Sequence, residues 1–159
     1  MTDFHNQLSI DNMLFELSQR GTFYCEKRLV FEFAKILEKR GFQIFLEYPT
    51  KEGYEDIRVE TPFGIFVFEF KYCPSGILVK HGNLEKMTRK RSPSAKRLLD
   101  FKNDIKRTSG TVEKKEVAGG FCIFITNQQN LIATLEEEYF ENYKWFNFKN
   151  EIKALVVCL

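Results

Sequence analysis

The chain is poor in histidine and has no paired cysteines, and each shortage closes a class of function. Its two histidines, His5 and His81, fall in segments that read as a tail and a loop. A histidine-based catalytic or zinc centre therefore has little to draw on. The four cysteines, Cys25, Cys73, Cys122 and Cys158, are far apart, form no CxxC pair and have no histidine at zinc-site spacing. They read as reduced thiols buried on helices and strands. No apolar run approaches the ~18–20 residues that a membrane-spanning helix needs. The segment MTDFHNQLSIDNMLFEL has neither the basic start nor the apolar run of a signal peptide. A cytoplasmic protein with no membrane partner is the expectation. Repeats, low-complexity stretches and linkers are also missing, so 159 residues read as one domain spanning 1–159, with 1–21 as an N-terminal helical extension.

What the chain does have is phenylalanine, 17 residues within a hydrophobic content of 43%, enough to bury a sizeable core. Its net charge of +2 is unevenly spread. Between Lys80 and Arg107 stand ten basic residues, Lys80, Lys86, Arg89, Lys90, Arg91, Lys96, Arg97, Lys102, Lys106 and Arg107, against Glu85, Asp100 and Asp104. Such a segment suits a polyanion, and a merely solvated basic face accounts for the composition equally well. Among these residues Lys86, Arg89, Lys90, Arg91, Lys96, Arg97, Lys102 and Arg107 are the candidates for following a nucleic-acid backbone.

Apolar spacing predicts a short helix over Leu8–Gln19 and a longer one over Phe23–Arg40, with Thr22 as its cap and Gly41 at its end. Glu26 precedes Val30 by four residues and so lies along the apolar stripe of Val30, Phe33, Ala34 and Leu37. Residues 43–48 read as a strand, and 54–72 as strand, turn and strand. Thr61-Pro62-Phe63-Gly64 has proline and glycine where a type I turn favours them. Residues 73–93 read as irregular. A helix over Ser94–Thr108 follows, then a buried strand Gly119–Thr126, a helix over Leu131–Glu141 and a terminal strand Ile152–Leu159. Trp145, Phe146 and Phe148 read as packing residues beneath that strand. The fold class is α/β, a mixed central sheet flanked by helices in the order α-β-β-β-α-β-α-β.

Glu69 and Lys71 are two apart on a strand, so their side chains leave the same face. Carrying the register of a two-residue turn back from Thr61 and Gly64 puts Asp56 opposite Glu69. Two carboxylates this close repel unless a cation lies between them. Hard oxygen donors suit Mg²⁺, with Mn²⁺ as substitute, and Mg²⁺ binds through one or two carboxylates plus substrate phosphate. An E-x-K pattern alone says little, as it occurs also at Glu113–Lys115 and Glu151–Lys153. Only the first follows an acid across a hairpin within an apolar strand. A solvent-facing salt bridge is the plain alternative. Lys102, Asp104 and Arg107 read either as phosphate contact and support for the site or as an exposed helix face with Asp104 paired to Arg107. Glu136-Glu137-Glu138 reads as an exposed acidic face.

With these residues the chain resembles the PD-(D/E)XK nuclease superfamily, which includes many restriction endonucleases. Glu26 matches its helical acid, with Glu32 as fallback, Asp56 its first acid and Glu69-Phe70-Lys71 its second motif. Glu55 stands where the family has proline. Residues 97–107 and 120–127 are similar to a bacterial group of nuclease-like proteins, and the likeness runs from Glu26 onward. The resemblance implies a restriction-endonuclease-like fold and Mg²⁺-dependent hydrolysis of phosphodiester bonds, in DNA before RNA. It gives Asp56, Glu69 and Glu26 to metal and Lys71 to the attacking water. A homodimer would let two sites address two strands. The rival expectation is a silent module of the same fold that binds nucleic acid or protein within a defence or repair complex.

Overall fold

Phenylalanine at every second position of GIFVFEFKYC commits this stretch to a strand with one wholly apolar face. The computed structural model describes residues 9–21, 23, 25–76, 78–81, 83–87, 94–149 and 151–159. The chain runs through α1 (Ile10–Gln19), α2 (Glu26–Lys39), β1 (Gln43–Thr50), β2 (Gly53–Thr61), β3 (Gly64–Cys73), β4 (Leu78–His81) and β5 (Leu84–Met87). It continues through α3 (Ser94–Glu113), β6 (Gly119–Thr126), α4 (Gln129–Glu137), β7 (Tyr143–Asn147) and β8 (Lys153–Cys158). Six strands form one mixed sheet in the order β1-β2-β3-β6-β8-β7, while β4 and β5 pair separately. Among the described residues only β3 and β6 pair in parallel, as a helical crossover through α3 permits.

The sheet is covered on both faces. Phe66, Phe68, Phe70, Phe121, Ile123, Ala154 and Val156 pack with α1 and α2. On the other side Cys73, Cys122, Phe124, Leu155 and Val157 pack with Phe101 of α3 and Leu131 and Leu135 of α4. This two-sided burial explains why β6 is buried at all eight positions. The segment expected as an extension is part of the core: Ile10, Met13, Leu14 and Leu17 are at most 1% exposed.

The expected elements are present, with four differences. Residues 73–93 contain the β4–β5 hairpin, which lies apart from the main sheet. Trp145, Phe146 and Phe148 do pack against the core, but Trp145 and Phe146 lie in β7, paired beside β8 with Trp145 opposite Leu155, and not beneath the last strand. Five residues, alternating weakly, leave too short a trace for a period to be read. Helix α3 runs past Thr108 to Glu113, with the Thr111 hydroxyl donating back to the Thr108 carbonyl at 2.8 Å. Helix α4 runs from Gln129 to Glu137, beginning before the expected Leu131 and ending before the expected Glu141. Thr22, read as the cap of α2, lies outside the described residues, and Cys25 precedes the first turn.

One contact fixes how near α3 comes to the sheet. A Cβ on Gly120 would stand 2.4 Å from the Thr108 methyl carbon, closer than real atoms approach. We expect Gly120→Ala to destabilise the protein by about 1–3 kcal/mol, the usual cost of overpacking. Adding Thr108→Ser, which deletes the obstructing methyl, should restore most of the loss in urea unfolding.

Candidate active site

The site begins where a ladder stops. Strands β2 and β3 pair from Thr61–Gly64 to Ile57–Phe68 in the register set by the two-residue turn. Beyond Ile57, β2 stays with β1 and no longer pairs with β3. The amides of Phe70 and Tyr72, two apart, face this opened edge, and buried donors must find partners. Two carboxylates supply them: Asp56 Oδ2 accepts from Phe70 N at 2.7 Å, and Glu26 Oε2 accepts from Tyr72 N at 2.8 Å. The amide of Asp56 in turn lies 3.4 Å from Glu69 Oε2. The ladder is also broken on the other side, where Glu47 of β1, level with Asp56, adopts a left-handed φ of 49°. Strain of this kind collects at functional sites.

Helix α3 closes the site from its own side of the sheet. Its docking seam, Leu98, Phe101 and Ile105, places Arg97, Asp104 and Arg107 toward β3. Lys71 Nζ is ion-paired with Asp104 Oδ2 at 2.5 Å. Arg107 Nη2 donates to Asp104 Oδ1 at 3.1 Å and to Glu69 Oε1 at 2.7 Å. Lys71, Asp104, Arg107 and Glu69 thus form a linear chain of ion pairs between β3 and α3. Arg97 donates to Glu26 Oε2 and lies 3.2 Å from the Cys73 thiol.

Burial, then the charge of Asp56, pushes the Glu69 carboxyl up to about 8 against the pull of Arg107. Burial also raises Asp56, although the Phe70 amide favours its ionised form. Lys71 goes the other way: burial opposes its charge, but Asp104, Glu26 and Asp56 hold the ammonium above its ordinary range. Lys71 is consequently a cation at neutral pH, able to donate and to neutralise charge but not to accept a proton.

Among the described residues no three Asp, Glu, Cys or His side chains converge as a ready metal cage. Mg²⁺ requires fewer, since it keeps several waters and commonly takes one or two carboxylates. Asp56 and Glu69 are such a pair by chemistry and number: hard donors, adjacent and mutually repelling, with Glu69 buried and Asp56 half-buried. Glu26 belongs to the same charge cluster, but its Oε2 is engaged by the Tyr72 amide and Arg97.

The structure therefore brings together Asp56, Glu69, Lys71 and Glu26, and adds Asp104 and Arg107, which sequence alone left between site and surface. Glu32 is elsewhere, in ion pairs with Arg20, Arg28 and Lys35. Glu55 is buried and held by Arg58 through two hydrogen bonds of 2.8 and 2.9 Å. Of the residues expected to follow nucleic acid, Arg97 and Arg107 are engaged inside the cluster. Lys102 pairs with Glu138 at 2.6 Å, Lys86 and Lys96 are solvent-exposed, and Arg89, Lys90 and Arg91 lie outside the described residues. The acidic run is on the exposed end of α4, with Glu136 near Lys153. All four cysteines are free thiols, three buried and Cys25 half-buried. Among the described residues no helix is long and apolar enough to cross a membrane. No protein-family model, curated protein or solved structure matches the chain.

The raised Glu69 carboxyl has a measurable consequence. Between its ordinary value of 4.5 and about 8 the folded chain retains a proton that the unfolded chain has released. This contribution favours folding below 4.5 and is lost as pH rises through about 8. In metal-free buffer, Glu69→Gln should flatten the fall in thermal midpoint across that window; an unchanged pH dependence would count against the assignment.

Proposed function

We propose that the chain is a metal-dependent nuclease that hydrolyses phosphodiester bonds in nucleic acid, DNA in preference to RNA, on a restriction-endonuclease-like scaffold. The observation that carries this reading is the meeting of Asp56, Glu69 and Lys71 on one side of the β2–β3 pair, with Glu26 alongside. The order helix, three antiparallel strands, helix and parallel strand supports the scaffold. Asp56 and Glu69 would hold Mg²⁺ or Mn²⁺, and Glu26 would orient that pair through the strand edge it shares with Asp56. The bound ion supplies an acidified water and charge stabilisation at the attacked phosphate. Lys71, fixed as an ammonium by Asp104, presents positive charge to the phosphate oxygens as negative charge develops on them. The exposed Lys86 and Lys96 add sequence-independent attraction for the backbone.

One observation favours the silent-module reading: the carboxylates at the centre already have amide or cation partners within the protein. On that reading the acids serve only to satisfy the opened strand edge. Purified protein incubated with DNA and RNA in Mn²⁺ or Mg²⁺ separates the two. Asp56→Asn, Glu69→Gln and Lys71→Ala should each lower cleavage by about a hundredfold or more, the scale of losing an electrostatic or general-acid partner, while circular dichroism stays that of the wild type. Equal rates in all four chains would leave only the silent module.

A further inference from the structure

Arg107 stands where the carboxylate pair needs positive charge. Its Nη2 reaches Glu69 Oε1 at 2.7 Å, and Glu69 is 3% exposed with Asp56 beside it. Two adjacent carboxylates, Glu69 buried and Asp56 half-buried, stay ionised together only with compensating charge. The Arg107 side chain is not enclosed in the same way: it is 23% exposed where that of Glu69 is 3%. A long arginine can keep its stem packed on α3 while its head moves toward solvent. Asp104, on the preceding turn of the same helix, holds the guanidinium by a second hydrogen bond and limits where the head can go. A guanidinium fork matches phosphate oxygens as well as it matches a carboxylate.

We propose that Arg107 is an exchangeable counter-ion of the site: a divalent cation and Arg107 compete for Glu69, and the displaced guanidinium turns outward to take a phosphate of the nucleic acid. The inference rests on the reading of Asp56 and Glu69 as the cation-holding pair. It makes cation and phosphate binding mutually reinforcing, because each takes a partner from the Arg107–Glu69 pair that the other would have to break. It also gives Arg107 two addresses, carboxylate in the absence of cation and phosphate in its presence.

Calorimetric titration with Mn²⁺ tests this without reference to cleavage. Arg107→Gln should bind Mn²⁺ about tenfold more tightly than the wild type, the scale of one charge-assisted hydrogen bond no longer opposing the ion. Arg107→Lys should also bind more tightly, and Glu69→Gln should lose the binding. Lys102→Gln removes a charge from the same helix away from Glu69 and should change affinity by less than about twofold, as a screened surface charge does. In metal-free buffer, Arg107→Gln should weaken binding of a labelled duplex oligonucleotide more in a Glu69→Gln background than in the wild type, because only there is the guanidinium released. Mn²⁺ affinity in Arg107→Gln no higher than in the wild type, or matched by Lys102→Gln, overturns the exchange. Tighter Mn²⁺ binding in Arg107→Gln with no cleavage by any chain supports the exchange and removes the nuclease reading. Cleavage by the wild type with unaltered Mn²⁺ affinity in Arg107→Gln does the reverse. If no chain binds Mn²⁺, both fall.

Discussion

The parting of β2 from β3 beyond Ile57 and Phe68 is the constraint on which the rest of the site depends. A strand edge opened in the middle of a sheet leaves amides that water cannot easily reach. The side chains of Asp56 and Glu26 answer those amides, and in doing so two negative charges are drawn into a half-buried place. Everything else at the centre is a response to that charge. Arg97 comes to Glu26 and Arg107 to Glu69, while Lys71 is held between Asp104 and the acids around it. The backbone thus requires side-chain acceptors at this point for reasons independent of any chemistry they perform.

Helix α3 supplies the opposing wall, and its position is set by packing rather than by charge. Phe101 meets Phe124 edge-on at 5.2 Å, and Thr108 closes over Gly120. Between these two contacts lies Asp104, so its distance to Lys71 is dictated by apolar fit on either side. Geometry along these ion pairs is inherited from neighbours that carry no charge. That division of labour, rigid packing outside and reactive polarity inside, is how precise polar arrangements are held in place.

Much of this was legible in the sequence because it follows from short-range rules. The Thr61–Gly64 turn fixes the hairpin register, alternation puts Glu69 and Lys71 on one face, and helical spacing turns Glu26 toward the core. Asp104 and Arg107 were harder. Their i,i+3 relation reads the same whether the helix face meets solvent or a sheet, and only the tertiary position of α3 decides between them. Arg97 looked like part of a basic surface because its partner, Glu26, lies 71 residues away in the chain. Strand β7 escaped for a different reason: its five residues carry tyrosine, lysine and asparagine at an edge, where little apolar alternation is needed. The break in the β2–β3 ladder is marked by neither glycine nor proline, since Glu55, Asp56 and Ile57 on one strand face Phe68, Glu69 and Phe70 on the other.

Helices α2 and α3 lie on opposite faces of the sheet, yet Glu26 of one and Arg97 of the other touch through the opening beside β3. In most layered α/β proteins the two outer layers influence one another only through the packed strands between them. Here a direct polar rivet passes from layer to layer. Its two side chains are 23% and 29% exposed, so the tie between the outer layers sits where water and dissolved ions can reach and screen it.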